Sequence, residues 1–237
     1  MLTIRQLCYQ HILKSIDFTA KSGEFIGIVG PNGSGKTTLL KCVAGILRGF
    51  SGGIEMDGQG SAVLSSRQIA RLVSYVPQIV ETVIPFTVIE FLRLSRFPYQ
   101  GMTTRQVRVP DFDSVLQQMG VLHLKHRQVA SLSGGELQRV LVTAALAQET
   151  PIVLLDEPTS HLDPLRAGEF VETLASLKNE GRHLFLMVSH NAEEMTRLCD
   201  RIVGLSGGEK KGEFAPEFLF DPASRSLIYG NGEGGHG

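Results

Sequence analysis

The stretch "GPNGSGKTT", Gly30 to Thr38, sets a glycine-rich loop before a lysine and two threonines. It fits the spacing G-x-x-x-x-G-K-[ST] and lies between an apolar run, "FIGIV", and a helical run. That spacing suits phosphate chemistry. Gly30, Pro31, Asn32, Gly33, Ser34 and Gly35 would wrap around phosphates with the backbone N–H groups of all but Pro31 available to turn inward, and the helix N-terminus adds partial positive charge. Lys36 would reach the β- and γ-phosphates, the Thr37 hydroxyl would bind Mg²⁺, and Thr38 closes the motif. On its own the loop says only that a nucleoside triphosphate binds.

"IVLLDEPTSHLD" places two carboxylates at the end of an apolar strand. Open parallel sheets bind ligands at the carboxyl ends of their strands. Asp156 there would complete the Mg²⁺ shell, and Glu157 would polarise a water in line with the γ-phosphate. An Asp-Glu pair after an apolar run is otherwise a helix cap or a turn, and the phosphate loop is what gives it a catalytic reading. His190 ends "FLMVSH" and is a third strand-end residue, a partner for the γ-phosphate. Gln78 ends "SYVPQ"; its carbonyl would ligate Mg²⁺ or a water, and its position would couple nucleotide state to the segment that follows.

The word "LSGGE" occurs twice, at Leu132–Glu136 and Leu205–Glu209. After the first copy, Leu137, Val140, Leu141 and Ala144 recur at helical spacing. Ser133 and Glu136 make a capping box, and Gly134 and Gly135 leave the helix N-terminus open, which makes it an anion site. After the second copy no apolar helical run follows. Ser206, Gly207 and Gly208 read as a turn between two strands, with glycine supplying positive φ.

These residues need strands and loops to hold them. "LTIRQL" and "ILKSIDFTA" read as strands, the second with Ile16, Phe18 and Ala20 on one face. "FIGIV" follows as a buried strand, then a helix from Lys36 to Leu47 with Leu39, Leu40, Val43, Ile46 and Leu47 on one side. "GGIEMDGQGS" reads as a short strand with turns. From about 79 to 147 the pattern is helical, with a capping box at Thr87 and Glu90. Beyond it come a strand at 152–156, a helix closing at Gly181, the strand "HLFLMVSH", the short helix "NAEEMTRLCD" and a last strand, "RIVGLS". Apolar strands alternating with helices predict a parallel sheet with helices on both faces. The final "GNGEGGHG" reads as a disordered tail.

The 237 residues suffice for one large domain. At 42% hydrophobic and 20% charged, with net charge −1, the chain reads as soluble and gives no electrostatic footprint for nucleic acid. Cys8, Cys42 and Cys199 lie far apart, against a disulfide framework or a zinc site. No apolar run approaches the ~20 residues of a membrane-spanning helix, and the N-terminus lacks a signal-peptide core. Work at a membrane would need another chain to span it.

Taken together the motifs resemble the ATP-binding cassette family: "GPNGSGKTT" as Walker A, "PQ" at 77–78 as Q-loop, "LSGGELQR" at 132–139 as signature, "IVLLDEPTSHLD" as Walker B and D-loop, and "SH" at 189–190 as switch histidine. The resemblance implies an α/β fold, a RecA-like P-loop NTPase sheet with an antiparallel β subdomain and a helical subdomain inserted at about 79–147. It implies a single ATPase domain over 1–230 and a tail at 231–237. It implies a head-to-tail dimer with a second copy, in which Ser133, Gly134 and Gly135 of one copy close over ATP held by Lys36 of the other, and Asp163 of the D-loop is a further nucleotide-binding residue. Tyr9 is the candidate for stacking on adenine, although "YQHIL" is about two residues shorter than the family's usual spacing. The insert around 79–105 would grip a permease partner. "LSSRQIARLVSYVPQ", "TVIEFLRLSRFPYQG" and "YG" at 229–230 look like the ATPase subunits of importers for iron–siderophore, haem or cobalamin, which sit on the cytoplasmic side of the membrane and use separate permease chains and a substrate-binding protein. A soluble ATPase of an iron–sulfur assembly scaffold and the detached cassette of an exporter are the competing readings.

Overall fold

The computed structural model describes residues 1–78, 84–103 and 107–229. The first residues of the helical insert and the glycine-rich tail expected at 231–237 lie outside the described residues.

The phosphate loop and the strand-end carboxylates are carried by a six-stranded sheet. Its strands are β3 (Phe25–Val29), β6 (Val73–Val76), β7 (Ile152–Asp156), β8 (Leu184–Val188), β9 (Arg201–Ser206) and β10 (Glu209–Phe214), in the order β10-β9-β3-β8-β7-β6. Five strands are parallel and β10 pairs antiparallel with β9. All five residues of β3, β7 and β8 are buried, as expected where both faces of a parallel sheet are covered.

One face, through Val153, Leu155, Phe185 and Met187, packs on α5 (Gly134–Ala147), α6 (Pro164–Asn179) and α7 (Ala192–Leu198). The other, through Ile26, Ile28, Leu154 and Leu186, packs on α1 (Lys36–Val43) and on a second, antiparallel sheet. That sheet orders β1 (Leu2–Tyr9), β2 (Leu13–Ala20), β4 (Ser51–Met56) and β5 (Gln59–Gly60) as β2-β1-β4-β5. Helices thus lie on both faces as expected, and α1 shares its face with the antiparallel sheet that the family resemblance implied. Alternation explains why. In β2, Ile16, Phe18 and Ala20 are buried while Lys14, Ser15 and Thr19 are exposed, so this half-polar sheet can cover only one side. Withdrawing Ile16 and Phe18 from water contributes about 1.5–3 kcal/mol each.

The insert is helical as expected: α3 (Val88–Leu94), α4 (Phe112–Gln118) and three single 3₁₀ turns lead into α5, after the short α2 (Ser66–Leu72) that precedes β6. Thr87 and Glu90 form the expected capping box, with the Thr87 N–H donating to Glu90 Oε2 at 2.9 Å.

Two expectations need correction. Helix α1 ends at Val43 rather than Leu47, because Gly45 turns left-handed at φ 69°; Ile46 beyond it is 56% exposed. "RIVGLS" is not the last strand: β10 follows through the Gly207-Gly208 turn. A final helix, α8 (Pro222–Tyr229), then packs on β9 and buries Ile228. Among the described residues no helix is long and apolar enough to cross a membrane.

Candidate active site

The parallel register brings the expected residues together. Asp156 closes β7 opposite Val188, and Ser189 and His190 follow Val188 directly. Neighbouring β3 feeds the phosphate loop, so all three strand ends meet on one edge of the sheet.

The phosphate loop is tightly seated. A Cβ at Gly30 would sit 2.0 Å from the Leu205 carbonyl oxygen, so only glycine fits there. Lys36 is 6% exposed, and its ammonium donates to the Gly30 and Pro31 carbonyls at 2.8 and 3.0 Å. Burial holds this ammonium below its ordinary pKa, and Glu157 and Asp156 pull it back up. Ser34 Oγ is buried inside the loop and has no hydrogen-bond partner among the described residues. An orphaned hydroxyl beside a folded-back ammonium is the donor set a polyphosphate would satisfy.

The two adjacent carboxylates face different surroundings. Asp156 is 1% exposed and accepts from Thr37 Oγ1 at 3.1 Å and from Tyr75 Oη at 3.0 Å. Burial raises its pKa; the Tyr75 and Thr37 hydrogen bonds oppose that rise. A carboxylate paired with a threonine hydroxyl beside a phosphate loop suits a hard divalent cation such as Mg²⁺. Glu157 leaves the strand with φ 49°, in the left-handed region, and its N–H donates to the Val188 carbonyl at 2.9 Å. That turn sends its side chain to His190, whose Nε2 lies 2.9 Å from Glu157 Oε1, and to Gln78, whose Nε2 donates to Glu157 Oε2 at 2.5 Å. Gln78 and His190, 112 positions apart, thus share one carboxylate.

Two contacts were not foreseen. Tyr75 stands in β6 opposite Leu154, one strand over, and its hydroxyl reaches Asp156. Burial and the nearby Asp156 charge both raise its pKa. Burial raises the pKa of Tyr229, at the end of α8, while Arg225 and the Gly30 backbone oppose that rise, so the last helix comes close to the phosphate loop.

The remaining candidates lie elsewhere. Ser133 caps α5 and forms its capping box with Glu136, the Ser133 N–H donating to Glu136 Oε2 at 2.8 Å. Gly134 is open on its Cβ side, whereas Gly135 faces Leu162. Among the described residues no hydrogen bond or ion pair joins this helix start to the phosphate loop of the same chain. Asp163 caps α6, accepting from the Arg166 N–H at 3.1 Å, so its carboxylate is engaged by its own helix. Tyr9 ends β1 opposite Leu13, and the β1–β2 turn lies against the phosphate loop: a Cβ at Gly35 would sit 2.6 Å from Leu13 Cδ2.

The second "LSGGE" is a hairpin turn, with Gly207 and Gly208 at φ 60° and 83° between β9 and β10. The repeated word therefore has two different local structures.

Comparison with known proteins agrees with this geometry. Residues 13–160 match the family model described as ABC transporter. The cobalamin import ATP-binding protein BtuD of Halobacterium salinarum is 32% identical over 217 residues, which is 92% of this chain and 54% of that protein. The hemin import ATP-binding protein HmuV of Pseudomonas fluorescens is 33% identical over 224 residues, 92% of this chain and 87% of that one. The chain spans about half the length of some curated relatives it matches, BtuD among them. Of solved structures, the dimeric post-hydrolysis ATP-binding cassette MJ0796 bound to ADP and Pi superposes with a TM-score of 0.78 at 26% identity, covering 91% of this chain and 99% of that one. The phosphate loop, the strand-end carboxylates and the capped α5 fall within or just beside the matched segment, and the chain belongs to the ABC transporter family.

Proposed function

We propose that this chain is the ATP-hydrolysing subunit of a membrane importer for a metal chelate of the iron–siderophore, haem or cobalamin class. It works as a pair of copies on the cytoplasmic face of the membrane, with separate permease chains and, through them, a substrate-binding protein. The observation that carries the ATPase reading is the single carboxylate of Glu157, held by His190 and Gln78 at the strand edge that also bears the phosphate loop.

In this reading Lys36, Ser34 and the loop N–H groups hold the β- and γ-phosphates, and Tyr9 stacks on adenine. Thr37, Asp156 and Gln78 would hold Mg²⁺, which when bound draws charge from the phosphate oxygens. Glu157 takes a proton from water as that oxygen bonds to the γ-phosphorus and the bond to the β-phosphate oxygen breaks, releasing ADP. His190 orients Glu157 and meets the γ-phosphate. Ser133, Gly134 and Gly135 of the second copy supply N–H groups from the start of α5 to the same phosphate. Asp163 lies at the junction between the copies.

The insert supports the permease part of the proposal. It carries an open cleft of about 510 Å³ lined by Leu94, Phe97, Tyr99, Met102 and Val109, with Phe97 and Val109 each 63% exposed. Exposed apolar groups gathered at one cleft mark a protein contact.

Glu157→Gln tests the chemistry: turnover should fall by about 100-fold or more with ATP binding retained. Unchanged turnover would remove the assigned base. Purification from gently solubilised membranes tests the partner, since co-isolated soluble scaffold proteins in place of polytopic permeases would favour the assembly-scaffold reading.

A further inference from the structure

Glu194 is a buried carboxylate that the reaction above does not use. It lies in the first turn of α7 and is 7% exposed. Its Oε2 accepts two hydrogen bonds, from Thr159 Oγ1 and from Ser189 Oγ, both at 2.9 Å. Among the described residues it forms no ion pair with Lys, Arg or His within bridging distance. A carboxylate taken out of water without a countercharge is costly and persists where hydrogen-bond donors hold it.

The identity of the two donors gives the arrangement its meaning. Thr159 stands two residues after Glu157, on the loop that runs on through Leu162 to Asp163. Ser189 stands immediately before His190. One oxygen atom therefore ties the segment carrying Glu157 to the segment carrying His190. Both ties are braced. Ser189 Oγ also accepts from the Asn191 N–H at 3.0 Å, Asn191 Oδ1 caps α7 by accepting from the Glu194 N–H at 3.3 Å, and the Thr159 carbonyl accepts from the Leu162 N–H at 3.0 Å.

We propose that Glu194 is a positioning residue for ATP hydrolysis: it clamps the Thr159 and Ser189 loops so that His190 meets Glu157. Among the described residues it forms no hydrogen bond or ion pair with the phosphate loop. The clamp spans the two strand ends whose separation sets the His190–Glu157 contact, where a shift of about 1 Å costs on the order of 100-fold in rate. The same clamp tethers the loop leading to Asp163, so movement there on dimer closure would be felt at His190.

The proposal rests on the ATPase reading, and the experiment separates the two. Steady-state ATP hydrolysis is measured for the wild type, Glu194→Ala, Glu194→Gln, Thr159→Val, Ser189→Ala and the Thr159→Val/Ser189→Ala pair, each checked for folding by thermal unfolding. Glu194→Ala and the paired variant should lower kcat by about tenfold or more, with KM for ATP within about twofold, because nucleotide is held elsewhere. Glu194→Gln keeps an acceptor oxygen at the same reach and should restore turnover to within about threefold of wild type. In a His190→Ala background, Glu194→Ala should add little, since the contact it orients is already gone. A kcat within twofold of wild type for both Glu194→Ala and the paired variant would overturn the clamp. So would an equal rise in KM, or a Glu194→Gln as impaired as Glu194→Ala. Should Glu194→Ala not fold, the Thr159 and Ser189 variants decide by the same criteria. No turnover in the wild type would instead count against the ATPase reading.

Discussion

The two copies of "LSGGE" allow a paired test in which the same substitution should have opposite effects. Gly134, in the first copy, is the first residue of α5, and a Cβ there would meet nothing within 4 Å. Gly208, in the second, has φ 83°, and a Cβ there would lie 2.2 Å from the Ile12 carbonyl oxygen. Gly134→Ala places a better helix former in open space, so stability should hold or rise by up to about 1 kcal/mol. Gly208→Ala forces an L-residue into the left-handed region at about 1–2 kcal/mol. The overlap is with backbone, so no rotamer change relieves it. The hairpin must move away from Lys14, whose N–H donates to the Gly208 carbonyl at 2.8 Å; losing that bond costs about 0.5–1.5 kcal/mol. The sum is roughly 1.5–3.5 kcal/mol, or about 3–14 °C in unfolding midpoint for a chain of this size.

Turnover should show the reverse order. In the proposed dimer the first turn of α5 faces the partner's γ-phosphate, and an added methyl at Gly134 stands between N–H groups and phosphate. Gly134→Ala should therefore lower turnover at saturating ATP by about tenfold or more, in line with the loss of one oxyanion-type donor. Gly208→Ala should retain kcat per folded molecule to within about twofold, and any loss should appear in KM, because Ile12 also borders Gly35 of the phosphate loop. The assay is thermal unfolding without nucleotide, beside steady-state hydrolysis well below the midpoint. An unshifted midpoint for Gly208→Ala, or wild-type turnover for Gly134→Ala, would refute the assignment of the corresponding copy.

Two further outcomes follow from buried groups. Tyr75→Phe removes one of the two hydroxyl donors to the buried Asp156 carboxylate; urea unfolding without nucleotide should show a loss of about 1–3 kcal/mol, and no loss would mean that the bond contributes nothing. Burial pushes the Cys42 thiol up to about 11 and raises Cys199 further still. Only the thiolate reacts, so at pH 8 about one Cys42 in a thousand is reactive even before access is counted. A thiol reagent should therefore modify Cys8 alone in the native protein and all three cysteines after unfolding; rapid native labelling of two or more would contradict the packing.

The sheet was legible because a parallel strand buried on both faces leaves a continuous apolar run, and 25–29, 152–156 and 184–188 each show one. The glycine loop was legible because its spacing is itself the mechanism. Elements with weak apolar patterns were missed or misplaced. Strand β10, "EKKGEF", alternates only between exposed and half-buried residues, so nothing but the preceding turn announces it. Helix α8 is eight residues long and offers few apolar positions to mark its period. Tyr75 could not be paired with Asp156 from sequence, since the contact depends on β6 lying beside β7 in a register that joins residues 81 positions apart.

The adjacent carboxylates set the clearest limit on what residue order can tell. Sequence places Asp156 and Glu157 side by side and suggests a cation role for one and a base for the other. It does not say what separates them. In the structure Asp156 still belongs to the strand, points into the buried space beside Thr37 and Tyr75, and takes up burial as a raised pKa. Glu157, one residue on, adopts φ 49° and turns toward His190 and Gln78 at the more open edge. A non-glycine residue in that region costs about 1 kcal/mol or more and is kept where the surroundings hold it. Here the Val188 carbonyl holds the Glu157 N–H on one side, and the Thr159–Glu194–Ser189 contacts hold the flanking loops on the other. The left-handed turn at Glu157 thus accompanies the separate environments of two neighbouring acids.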